Sequence, residues 1–148
     1  MKSNFRIYKI YSERISPLGF SRLKTAWWQR KKGLVLQMIY IHKFSFTTNF
    51  RVHATIHIAG FEEDAHWLNG VCSPDGWYEP RFLGLPLRRI RFGYTESQSS
   101  WQSSADNLYK FTEEVIIPWF KKWQDIGSLL KDSNSPLDER QKAFLAKV

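Results

Sequence analysis

The sequence predicts an α+β fold: an N-terminal helix, an antiparallel sheet of about four to five strands, and C-terminal helices packed on one face. Three observations carry that expectation. Apolar residues recur at three- and four-residue steps over residues 4–16, and again over about 105–126. Between these segments lie a nearly continuous apolar run (34–44) and a strictly alternating one (50–58). A helix followed by sheet and then helices reads as layers around one core.

Each element has a local reason. In 4–16 the apolar stripe is Phe5, Tyr8, Tyr11 and Ile15, with Arg6, Lys9, Glu13 and Arg14 opposite. Pro17 cannot continue that helix, and Gly19 suits the left-handed turn beyond it. Residues 20–30 mix bulky Phe20, Leu23, Trp27 and Trp28 with cations, and "RKKG" (30–33) supplies a hairpin turn. The run "LVLQMIYIHKF" (34–44) fits a central strand. In "FRVHATIHI" (50–58), Phe50, Val52, Ala54, Ile56 and Ile58 point one way, and Arg51, His53, Thr55 and His57 the other.

Glycines and prolines punctuate 59–102, which reads as loop with short strands at 87–94 and, more weakly, 77–83. An N-cap is expected at Ser103 or Ser104, ahead of a helix over about 105–126. Its stripe is Leu108, Phe111, Val115, Ile116, Trp119 and Trp123, and Pro118 should kink or break it. A last helix is expected with Ser135 as N-cap and Pro136 in its first turn.

Bulk properties narrow the function classes. At 148 residues the chain suits a single domain spanning 1–148, and its 7 Trp and 11 Phe exclude a disordered segment. The single cysteine, Cys72, excludes an intrachain disulfide and a Cys-rich zinc module. No run approaches the ~18–20 apolar residues of a membrane span. "MKSNFRIYKIYSER" lacks the apolar stretch of a secretion signal, so a reducing, cytoplasmic setting is expected. The net charge of +8 is unevenly placed: residues 1–60 hold 11 Lys and Arg against Glu13 alone, whereas 61–148 hold 11 against 13 acids. Such asymmetry favours an anionic partner.

Three constellations deserve weighing for chemistry. In "RVHATIHIAGFEEDAH" (51–66), His53 and His57 share a strand face but stand roughly 13 Å apart. A zinc ion needs both nitrogens about 2 Å away, so a shared site requires His42 or His66, with Glu62, Asp64 or Cys72. Glu62, Glu63 and Asp64 fit a solvated turn, and no metal or cofactor is expected. Cys72 in "VCSPDG" has no histidine at a recognisable spacing, and no hydrolase, phosphate-loop or metalloprotease motif occurs, so no catalytic residue is assigned. The third constellation is basic and aromatic. Arg22, Lys24, Arg30, Lys31 and Lys32 surround Trp27 and Trp28, and Arg88, Arg89 and Arg91 recur in "LRRIRFGYTE" (87–96). Cations that track a backbone and rings that stack on bases are the equipment of single-strand nucleic-acid binders. One tryptophan in the core, with lysines blunting an edge strand, accounts for the same pattern.

The stretch "PLGFSRLKTAWWQRKKGLVLQMIYIHKFS", with Leu18–Gly19–Phe20, Trp27–Trp28 and Gln37, and the later "IIPWFKKW" (116–123), resemble an uncharacterised bacterial domain family. That family has a helix ending in Leu-Gly-Phe, an aromatic hairpin and a C-terminal helix in which proline precedes an aromatic pair. The resemblance covers about the first third of the chain and that helix. It implies a compact α+β domain in a bacterial cytoplasm and carries no catalytic residues to transfer. The expectation is a non-enzymatic protein-binding domain, an immunity-type inhibitor of a toxin, recognising an acidic protein through Arg22, Lys24, Trp27, Trp28, Arg30, Lys31, Lys32, Arg88, Arg89 and Arg91. The alternative is a single-stranded nucleic-acid binder using the basic and aromatic sheet face, with Arg51, His53 and His57 on its polar side.

Overall fold

The computed structural model describes residues 3–44, 49–61, 70–71, 81–82, 85–86, 92–93 and 98–148. Helix α1 (Ser3–Ile15) buries Ile7, Tyr8, Tyr11 and Ile15 and ends in a 3-10 turn, Ser16–Leu18, that contains Pro17. Gly19 closes it at φ 99°, a conformation that costs glycine nothing, and its N–H bonds the Ser16 carbonyl at 2.9 Å.

Four strands follow as an antiparallel meander: β1 (Ser21–Lys24), β2 (Trp27–Lys32), β3 (Val35–Lys43) and β4 (Asn49–Ile58). Gly33, at φ 61°, turns β2 into β3. Strands β5 (Arg81–Phe82) and β6 (Leu85–Pro86) form a separate pair, and β7 (Phe92–Gly93) adds to the outer side of β4. Of the strands expected at 77–83 and 87–94, only β5 and β7 lie within the described residues.

Register assigns the faces. Trp28 pairs with Ile39, and Ile39 with Ala54, on the side the helices cover. Phe50, Val52, Ala54, Ile56 and Ile58 are all buried there, as the alternation predicts. The next row, Trp27–Tyr40–His53, lies on the opposite face. That face is drier than the alternation implies, because His53 and Thr55 are only 2% and 1% exposed. Strand β4 is interior, flanked by β3 and β7, and the Tyr40 ring lies nearly parallel to His53 at 6.0 Å.

The helical layer is α2 (Gln98–Phe111), a π turn (Thr112–Ile116), α3 (Ile117–Lys122), α4 (Ile126–Lys131) and α5 (Glu139–Lys147). The expected stripe from Leu108 to Trp123 is buried throughout. Phe120 meets Phe20, Phe111 meets Phe92, and Phe144 meets Phe61, at ring separations of 5.9, 5.8 and 5.2 Å. These contacts seat the helices on one face of the sheet, and the fold is α+β.

Two helix boundaries depart from expectation. Helix α2 starts at Gln98, so Ser103 and Ser104 lie inside it; the apolar face extends a turn earlier through Trp101, which receives the Arg6 guanidinium at 4.6 Å. The final helix is capped by Asp138, not Ser135. Asp138 accepts from the Gln141 N–H at 2.8 Å while the Gln141 side chain accepts from the Asp138 N–H at 3.0 Å, a reciprocal capping box that outcompetes a lone serine. Ser135 instead donates to the Leu129 carbonyl at 2.6 Å.

Pro118 does not end the helical run, and the ladder is distorted just ahead of it. Proline offers no N–H to the carbonyl four residues back, and the preceding turn widens to a π turn in which Ile117 N–H reaches Thr112 O. Thr112 donates its hydroxyl proton to the Leu108 carbonyl at 2.8 Å, so Tyr11 donates to Thr112 Oγ1 at 2.7 Å and ties α1 to the widened turn. Burial pushes the Tyr11 hydroxyl pKa upward, which keeps it protonated as the donor. The helix stops at Trp123, and Asp125 caps α4 by accepting from the Ser128 N–H at 2.8 Å.

Candidate binding surface

The segment 16–37 divides into an interior knot and an exterior edge. Arg30 is the centre of the knot. Its Nε donates to Gln37 Oε1 at 2.8 Å, one Nη donates to the Leu18 carbonyl at 2.8 Å, and the guanidinium lies 4.6 Å from the centre of the Phe20 ring. Burial lowers its pKa from the usual arginine range, yet no carboxylate takes part. Neutral oxygens and a ring face hold the charge, which the planar guanidinium can serve simultaneously. A side chain at Gly19 would press on Arg30 at 3.1 Å. Trp28 is 0% exposed, packs edge-on against Tyr8 and Tyr11, and donates its indole N–H to Ser12 Oγ. Leu18, Gly19, Phe20, Trp28 and Gln37 therefore join α1 to the sheet. Trp28 and Arg30, expected at a partner contact, are committed to this interior.

The exterior edge is β1 and the free end of β2. Ser21, Arg22, Leu23 and Lys24 are all exposed, as are Lys31 and Lys32. No acidic residue occurs between Glu13 and Glu62, so the whole meander carries cations without one carboxylate. Neither ion pair found among the described residues, Arg14 with Asp106 or Lys142 with Glu139, involves this edge. Arg22 is steadied by its own hairpin, donating from Nε to the Thr25 carbonyl at 3.0 Å. The β1–β2 register shifts by one residue between Arg22 and Lys24, leaving Leu23 as the bulged position.

The face of the sheet away from the helices carries a second group. Trp27 lies 4.8 Å from Tyr40, Tyr40 6.0 Å from His53, and His42 5.2 Å from Phe44. Lys24 continues the row on β1, and Arg51 pairs in register with His42. Arg51 is half-buried, with its Nε and one Nη buried and lacking a hydrogen-bond partner among the described residues. His57 stands in register with Leu36 at the far end of the same face. His42 does come near His53, at 6.4 Å between ring centres, but the rings are stacked and so present faces, not nitrogens, to each other. Among the described residues no group of three or more His, Cys, Asp or Glu is placed to hold a metal ion.

Of the residues singled out in the sequence, Arg22, Lys24, Lys31 and Lys32 lie on the edge hairpin, Lys24 at its turn and Lys31 and Lys32 at the opposite end of β2, and Trp27, Arg51, His53 and His57 share the face away from the helices. Arg88, Arg89, Arg91, His66, Cys72, Glu62, Glu63 and Asp64 lie outside the described residues. Tyr40 and Phe44 were not anticipated, and His42 was weighed only as a metal ligand; the signal for this row is cross-strand register, which alternation within a single strand does not contain. No helix among the described residues is long and apolar enough to cross a membrane. Comparison with family models, curated proteins and solved structures finds no match to this chain.

Proposed function

We propose that this chain is a non-enzymatic protein-binding domain of a bacterial cytoplasm, an immunity-type inhibitor that covers an acidic surface on a toxin partner. One observation carries the reading: the β1–β2 edge exposes Arg22, Lys24, Lys31 and Lys32 with no ion pair among the described residues, on a sheet that lacks acids altogether. Uncompensated charge of one sign costs self-repulsion, and it speeds encounter with a surface of the opposite sign. The test is affinity capture from the native host with the natural chain and with a variant carrying Arg22→Glu, Lys24→Glu, Lys31→Glu and Lys32→Glu. An acidic protein retained by the first and lost by the second is the expected result. Identical captured sets would contradict it.

The half-buried rings of Trp27 and Tyr40, 4.8 Å apart with exposed Lys24 on the same face, favour a second reading as a single-stranded nucleic-acid binder. Titration of a labelled oligothymidylate distinguishes the two. Binding that weakens steeply with salt, and that is lost in Trp27→Ala, supports this second reading; no binding at low salt removes it.

A further inference from the structure

We infer that Leu23 is the apolar anchor of the basic edge, and that the partner surface it fits is acidic around an exposed aromatic or aliphatic side chain. The inference rests on the protein-binding reading and specifies how that contact is made. Leu23 is 51% exposed; among the described residues the other large exposed hydrophobic is Val148 at the C-terminal end. A single exposed leucine is ordinary on a protein surface. This one occupies the bulged position of an edge strand, where the extra residue re-aims its side chain, and Arg22 and Lys24 flank it.

The same geometry argues against recognition by strand addition. β1 spans four residues, is interrupted by the bulge, and carries cations, three devices that guard an edge against backbone pairing. Like charge also disfavours a second copy of this chain at the same edge. What the edge offers is side chains: one apolar centre with a cationic rim. An anchor desolvated at the middle of a contact governs how long a complex lasts, and the charged rim governs how fast it forms. Arg22 is pre-ordered for the rim by its bond to Thr25, so less side-chain freedom is lost on binding.

The test uses two fluorescent peptides, each a short run of glutamates and aspartates, one with a central tryptophan and one with alanine in its place. Fluorescence anisotropy is read against the full chain and against Leu23→Ser, whose exposed position leaves the fold unchanged, as thermal unfolding verifies. The natural chain is expected to bind the tryptophan peptide about fivefold or more tighter than the alanine one. In Leu23→Ser that advantage should vanish while the alanine peptide binds within about twofold of its natural affinity. Equal binding of both peptides to the natural chain overturns the anchor and leaves the acidic-partner reading standing. An advantage that survives Leu23→Ser overturns it too. Failure of both peptides to bind, or a preference for oligothymidylate over both, overturns the anchor and counts against the parent reading as well.

Discussion

Trp27 and Trp28 are neighbours of identical chemistry, and they serve opposite faces of one sheet. Trp28 is enclosed by Tyr8, Tyr11 and the Arg22 guanidinium, with its N–H on Ser12. Trp27 is half-buried in a cross-strand row with Tyr40 and His53. The cations divide by their place in the sheet, not by face, since Arg22 pairs in register with Trp28 and Lys32 with Val35. Arg30 is consumed by Leu18, Phe20 and Gln37, whereas Arg22, Lys24, Lys31 and Lys32 stay at the surface. The difference teaches that a basic and aromatic stretch is not one feature. Alternation sends Trp28 and Arg30 into the helix–sheet joint, and the edge position of β1 and the free end of β2 leave the other cations at the surface.

The sharpest way to break that contrast is to truncate each tryptophan. Trp28→Ala should cost about 3–5 kcal/mol, since it opens a cavity at the α1–sheet joint and strands Ser12. Trp27→Ala should cost about 1–2 kcal/mol, because part of its surface already faces solvent. Chemical denaturation of both variants checks this, and equal losses would erase the distinction between the faces. Next in size is Arg30→Ala, at about 2 kcal/mol, because the buried Gln37 side chain and the Leu18 carbonyl lose their charged donor. Arg30→Lys should recover less than half of that loss, since a single ammonium cannot serve both oxygens while lying flat on Phe20.

The edge cations predict the converse. Lys24→Glu or Lys31→Glu should move stability by no more than about 0.5 kcal/mol while changing the rate of partner association. The smallest effect belongs to Asp125. Its hydrogen bonds from Ser128 hold the carboxyl below the usual aspartate pKa, so its capping contribution is fully present above the ordinary aspartate value and fades as pH falls through the lower folded value. Titration of the Asp125 carboxyl by NMR, together with unfolding in acid, should show that fading, and Asp125→Asn should remove it.

Much of the fold is readable in the sequence where periodicity meets a clear stop. The alternation of 50–58, the stripe from Leu108 to Trp123 and the turn at Gly19 all depend on neighbours close along the chain. The departures have other causes. Asp138 displaces Ser135 because a capping box involves two residues, and the glutamine three positions on decides between the caps. Pro118 is absorbed because a helix can widen by one residue before it breaks. The burial of His53 depends on Tyr40 of the next strand and on the interior place of β4, neither of which alternation encodes. For the candidate surface, residue type identified the cations, but only the edge position of β1 and its bulge left Arg22 and Leu23 exposed while Arg30 was drawn into the joint.

The central claim is that the β1–β2 edge is where this protein meets an acidic partner. Zero-length cross-linking of amines to carboxylates in host extract, with the linked lysines located by mass spectrometry, tests it most directly. Linkages from Lys24, Lys31 and Lys32 to acidic residues of one other protein are the predicted result. Linkages confined to the exposed lysines of the helical layer, Lys110, Lys121, Lys122, Lys131 and Lys147, would contradict it.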